Sequence, residues 1–297
     1  MKTTASWCRT LCCALAGLAW SCVVPPEPTV ADLSRSKSNA ANAERGLLWM
    51  FPGIVGLEWE MGPAYRALRD AGLVRETRFF QWDRPGLEIL DHLADEEHNR
   101  QRAAEVAAEI VAWRGEHPDA PIDLVGYSGG AAIAVWVAEA LPEDVRLNKI
   151  VMAQPGLSPT YDLRDALSRV DDRMIVFYSP GDWLLAGAFT SLLGTLDRRF
   201  TAAAGKDGFW LEVAVPDPVL RAKVEQVGWT PEWAAAGHPG THLPILQYEW
   251  NRRIVAPYLV DEDESAPLSA LDWLVNWLPW HTVAPPGPGA AEASNTP

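Results

Sequence analysis

Past residue 22 the chain has no cysteine: all four, Cys8, Cys12, Cys13 and Cys22, fall within the first 22 residues. The remainder therefore has no disulfide framework, no cysteine nucleophile and no cysteine-ligated zinc. It also lacks a glycine-rich phosphate loop, a dinucleotide fingerprint and the His-Glu-x-x-His spacing, so the sequence calls for no cofactor and no metal. Asp91, His92, Asp95, Glu96 and His98 form a polar cluster, but they read as a solvated helix start rather than a ligand set. Positive charge is in short supply, with 25 Lys and Arg against 39 Asp and Glu and a formal net charge of -14. A surface this acidic repels phosphate backbones and anionic lipid, which argues against nucleic acid as a partner.

What is present begins with Lys2 and Arg9, followed by an apolar run over residues 11–20 that closes in Ala19-Trp20-Ser21-Cys22. This predicts a signal peptide over residues 1–22, too short to span a bilayer as a helix. Its removal takes away Lys2 and Arg9 and no acidic residue, moving the net charge from -14 to -16. A cysteine just after the cut also resembles a bacterial lipoprotein signal, in which that cysteine is acylated. Ala19 and Trp20 depart from the usual pattern of Leu followed by a small residue, so both fates stay open: a periplasmic or membrane-anchored lipoprotein held through acylated Cys22, or a secreted protein. Residues 23–45, rich in Pro, Ser, Asn and Ala, read as a flexible linker. A single domain is expected over residues 46–282, and the Pro-, Gly- and Ala-rich residues 283–297 read as a disordered tail. Near the end of the domain, Trp273, Trp277 and Trp280 recur at helical spacing. That pattern predicts a helix docked on the body or touching membrane or acyl chains.

Between these ends, apolar runs alternate with helical patterns. Residues 47–51 are a continuous apolar run ended by Pro52-Gly53; a helix over about 63–72, a strand over 77–82 and a long helix over about 99–114 follow. Residues 122–125, 149–153 and 174–178 read as further buried strands, with one more at either 209–215 or 223–229 and a final helix after residue 242 to about 259. Runs without polar alternation suit strands covered on both faces. The fold class is therefore α/β, with a mostly parallel central sheet and helices on both faces.

The most informative stretch is Gly126-Tyr127-Ser128-Gly129-Gly130, set between the strand at 122–125 and a small-residue helix over 131–141. A strand that turns at once into a helix forces Ser128 into a strained backbone and lifts its hydroxyl out of the sheet, while Gly126 and Gly130 remove side chains that would collide. With its flanking elements, this motif resembles the α/β-hydrolase superfamily over residues 45–259. The resemblance implies a nucleophile, an acid and a histidine in that chain order, on loops at the carboxyl ends of strands. Ser128, Asp182 after Ser179-Pro180-Gly181, and His242 supply that order. Asp197 is a rival acid, Asp171 and Asp172 stand at the wrong end of their strand, and His238 and His281 are rival histidines.

The resemblance also implies an oxyanion hole of two backbone N–H groups. Gly129 supplies one, and Ile54 of Pro52-Gly53-Ile54-Val55-Gly56 supplies the other, with Val55 as its alternative. The implied activity is serine-dependent cleavage of a carboxylic ester or lipid-like acyl substrate, a small molecule. Acyl transfer by the same three residues is a rival. A non-catalytic binding module of the cell envelope is another, favoured if Asp182 and His242 fail to converge on Ser128. Residues 183–196, apolar and just after Asp182, would either cover the cleft or form a packing helix.

Overall fold

The computed structural model describes residues 42–54, 60–82 and 95–260. The expected signal peptide, nearly all of the linker, the Trp-rich helix and the tail lie outside the described residues, as do Cys22, Val55, Asp91, His92 and His281. Six strands form one sheet: β1 Leu47–Phe51, β2 Glu76–Phe79, β3 Ile122–Tyr127, β4 Leu147–Ala153, β5 Val170–Tyr178 and β6 Val224–Gly228. Their spatial order is β2-β1-β3-β4-β5-β6, and every pairing is parallel. Three longer helices connect the first half: α1 Gly62–Asp70, α2 Glu96–Glu116 and α3 Gly129–Ala140.

Each central strand feeds two cores because successive side chains point to opposite faces. Trp49 and Phe51 of β1, Leu124 of β3 and Ile150 and Met152 of β4 pack with Val106 and Ile110 of α2 and Trp136 of α3. Leu48, Met50, Val125, Val151 and Phe177 pack on the other face with Leu68 of α1, Trp233 and Trp250. At the amino edge of the sheet, Arg75 pairs with the fully buried Asp123, whose other oxygen accepts from Asn148 Nδ2 at 3.0 Å and Lys149 N at 2.9 Å.

Several boundaries differ from the sequence reading. The second strand stops at Phe79, and Trp82 turns inward to donate from Nε1 to Pro52 O at 2.9 Å. Of the two segments offered for the sixth strand, Val224–Gly228 takes the place. The other holds a helical turn, Leu211–Ala214, with Trp210 and Val213 exposed. No continuous helix follows His242. Short turns at Pro244–Leu246, Tyr248–Trp250, Asn251–Val255 and Ala256–Tyr258 run in its place, because Pro244 and Pro257 lack the N–H that a continuous ladder requires. Asp95 caps α2 by accepting from His98 N at 3.0 Å, so this part of the polar cluster is spent on starting a helix.

Candidate active site

From Ile122 to Ala138 every residue is buried except Ser128. β3 ends at Tyr127 and α3 begins at Gly129, so Ser128 alone makes the turn, at φ 52° and ψ -117°. A side chain with a β-carbon pays for that backbone in strain, which persists only where the surroundings enforce it. The surroundings are tight. A Cβ on Gly130 would stand 2.2 Å from Phe51 O, and one on Gly126 would stand 2.5 Å from Ala131 Cα. Both glycines thus let α3 start directly against β1 and β3.

The three residues expected to act together converge. Ser128 Oγ lies 2.8 Å from His242 Nε2, and His242 Nδ1 is hydrogen bonded to Asp182 Oδ2. In the tautomer that satisfies both contacts, Nδ1–H donates to the carboxylate and Nε2 accepts from the serine hydroxyl. Asp182 is buried at 2% exposure, and its second oxygen accepts from Ala186 N at 3.1 Å. The turn that delivers it is closed by Asp182 N donating to Ser179 O at 3.0 Å.

The rivals have other employment. Asp197 accepts from Ser158 N at 2.8 Å, Ser158 Oγ at 2.5 Å and Thr195 Oγ1 at 2.6 Å, which ties a loop together. Asp171 and Asp172 sit near the start of β5, where they pair with Arg146, Lys149 and Arg173. His238 is buried, with Trp233 and Trp250 ring centroids 5.5 and 5.4 Å away, and its Nδ1 accepts from Gly240 N at 3.2 Å. Burial lowers its pKa to about 4 against the opposing pull of Asp182, so the ring is neutral at pH 7.

The loop after β1 is pinned twice. Pro52 O accepts from Trp82, and Gly53 N donates to Glu60 Oε2 at 3.0 Å. Ile54 follows directly and packs, half-buried, against the α2–α3 core. Gly129 opens α3 between the side chains of Trp82 and Leu196. Residues after Asp182 form a wide helical turn, Leu184–Phe189, and a short helix, Thr190–Leu193. Trp183, Leu184 and Leu192 there are 64%, 47% and 76% exposed, so this segment is no packing helix; Leu243, next to His242, is exposed as well.

Two neighbours of the site were absent from the sequence reading. The Tyr127 hydroxyl donates to His242 O at 2.7 Å, and its ring lies 5.4 Å from the imidazole. Burial, with Glu60 and Asp182 nearby, raises the Tyr127 pKa, so it keeps its proton and stays a donor. Gln154, just past β4, is buried at φ 48° and donates from Nε2 to Thr241 O at 2.7 Å. The available signal was position: each is a polar residue at the carboxyl tip of a buried strand.

No protein-family model matches the chain, and no curated protein is significantly similar to it. Among solved structures it is similar to a CIB-like hydrolase from Thermoplasma acidophilum, with 12% identity, 75% of this chain and 88% of that one covered, and a TM-score of 0.42. It is also similar to a dienelactone hydrolase-like promiscuous phosphotriesterase from metagenomic libraries, with 18% identity, 72% and 85% covered, and a TM-score of 0.38. A Trichoderma reesei cutinase in complex with a phosphonate inhibitor gives 15% identity, 80% and 89% covered, and a TM-score of 0.32. The strand order, the parallel pairings and the strained turn between β3 and α3 are those of the α/β-hydrolase fold.

Proposed function

We propose that the protein is a serine hydrolase that cleaves a carboxylic ester or lipid-like acyl substrate through an acyl-Ser128 intermediate. The observation that carries this reading is the hydrogen-bonded line from Ser128 Oγ to His242 Nε2 and from His242 Nδ1 to buried Asp182. Serine is a weak nucleophile until a neutral imidazole takes its proton. In the proposed reaction His242 Nε2 takes it as Oγ attacks the acyl carbon, and Asp182 holds the ring and stabilises the resulting imidazolium. The Gly129 and Ile54 N–H groups would bind the oxyanion, and Gly129 supports this as the first residue of α3, where backbone donors are unspent. Collapse expels the alkoxide, which takes the proton from His242. Water then repeats the cycle, with His242 as base, to release the acid and restore Ser128.

The exposed apolar side chains of Trp183, Leu184 and Leu243, adjacent in sequence to Asp182 and His242, favour an acyl chain over a charged group on the substrate. The test is a panel of p-nitrophenyl esters of graded acyl length together with a fluorophosphonate probe. Turnover that rises with chain length, and a label on a peptide containing Ser128, are expected. An unlabelled, inert protein would overturn the reading.

We also propose that the mature chain starts at Cys22 outside the cytoplasm, supported by Lys2 and Arg9 before the apolar run and by small Ala19 and Ser21. Cys22→Ser should shift the protein from the detergent phase to the aqueous phase in a bacterial host if the cysteine is acylated. Equal partitioning, with no added mass on Cys22, would mark a secreted enzyme instead.

A further inference from the structure

The loop that carries His242 lies along the carboxyl edge of the sheet, and strand after strand grips its backbone. His242 O accepts from the hydroxyl of Tyr127, the last residue of β3, at 2.7 Å. Thr241 O accepts from Gln154 Nε2, just past β4, at 2.7 Å. Gly240 O accepts from Ser179 Oγ, just past β5, at 2.6 Å. His238 O accepts from Trp229 Nε1, just past β6, at 2.8 Å. As the sheet runs β3-β4-β5-β6, the gripped carbonyls run 242, 241, 240 and 238, so loop order and strand order match one to one. Four side chains from four strands hold four of five consecutive carbonyls.

The strand tips have no backbone to spare for this task, since their N–H groups serve the parallel ladder. Side chains must supply the donors, and one of them is placed at a cost: Gln154 adopts φ 48° without being glycine. Strain of this kind is retained when the surrounding structure uses the position it enforces. Ser128 stands on the same edge, directly after Tyr127, so nucleophile and histidine loop are referenced to one rigid strand tip.

We infer that Tyr127 and Gln154 are positioning residues, which fix the carbonyls of His242 and Thr241 and thereby hold His242 Nε2 in line with Ser128 Oγ. This rests on the hydrolase reading above for its effect on turnover, though not for its effect on the imidazole. Misplacing a reacting group by about 1 Å costs up to about a hundredfold in rate. A loosened loop therefore lowers kcat while ground-state binding, set elsewhere, is kept.

The test removes one donor at a time. Tyr127→Phe deletes the hydroxyl and keeps the ring beside His242, and Gln154→Met keeps the length of the side chain and removes its amide. Tyr161→Phe is the control: its hydroxyl is buried in a network with Arg100, Trp136 and Glu139 that does not touch the loop. With a short-chain p-nitrophenyl ester, kcat should fall about tenfold in each of the first two variants and further in the double variant, with KM within about twofold and the control unchanged. A second readout is independent of turnover. The His242 Nδ1 proton held on Asp182 should give a sharp, strongly deshielded NMR resonance in the wild type that broadens into solvent exchange in the double variant, or in Tyr127→Phe alone if the double variant does not fold. Wild-type kcat in the variants, or an equally protected Nδ1 proton, would overturn the inference. A wild type inert to esters and fluorophosphonate, but with the proton lost only in the variants, would overturn the hydrolase reading and leave the positioning role standing.

Discussion

Strand β3 carries a polar residue near each end, and the protein treats the two in opposite ways. Asp123, at the amino end, is fully buried and closed off by Arg75, Asn148 Nδ2 and Lys149 N. Burial raises its pKa while Arg75 pulls it down. Ser128, one residue beyond the carboxyl end, is the single partly exposed residue in its stretch and sits on strained backbone. The same strand therefore has one end whose polar atoms are consumed by each other and one end that leaves a polar atom facing outward. Parallel α/β sheets bind ligands beyond the carboxyl ends of their strands, where helices begin and loops fan out. Buried polar chemistry at the amino end cements register. At the carboxyl end it is kept available.

The largest effect that would break this comparison is at Ser128. Ser128→Ala should lower kcat by roughly 10⁴-fold or more and abolish fluorophosphonate labelling, since the members of a triad act as one unit. His242→Ala should be similarly damaging. Neither change should move the thermal midpoint much, because neither removes core packing. Labelling that survived in Ser128→Ala would dismantle the site.

At the other end the expected pattern is reversed. Arg75→Met leaves Asp123 buried without its guanidinium, and removing one partner of a buried pair costs about 3–5 kcal/mol. The urea midpoint should fall accordingly, while kcat measured well below the transition keeps its wild-type value. Adding Asp123→Asn should recover part of the loss by removing the stranded charge. A fall in kcat at unchanged stability would show that the two ends are not separable.

Much of this contrast could be read from the sequence, and the reasons differ by element. The strands were legible because a parallel sheet covered on both faces needs unbroken apolar runs, as in Leu47–Phe51 and Ile122–Tyr127. Ser128 was legible because two glycines two residues away on either side are a steric requirement written into the chain. The sixth strand was ambiguous: β6 is only half-buried at every position and has no apolar run to announce it. The helix expected after His242 failed because its apolar content has helical density but its prolines do not permit a continuous ladder. Tyr127, Gln154, Ser179 and Trp229 could not be read as one set, because what unites them is the order of strands in space, and the chain lists them 25 to 50 residues apart in sequence.

The smallest effect separates the two histidines of one loop. His238 is buried between Trp233 and Trp250, and its folded pKa of about 4 lies below the ordinary value of 6.5. Above pH 6.5 the ring is neutral whether the chain is folded or unfolded, and it contributes no pH dependence. Between 6.5 and about 4 the unfolded chain binds a proton that the folded one refuses, so acidification favours unfolding; below about 4 both states are protonated and the loss is complete. His238→Gln removes the titration and keeps an acceptor for Gly240 N. The wild type should therefore lose stability relative to this variant as the pH falls from 6.5 to 4 and track it in parallel above 6.5, as measured by urea unfolding at closely spaced pH values. Turnover at pH 7 should change little, since the ring does not touch Ser128. Parallel curves throughout the acid range would mean that His238 is protonated in the fold and that the boundary between a cementing and an available histidine has been drawn in the wrong place.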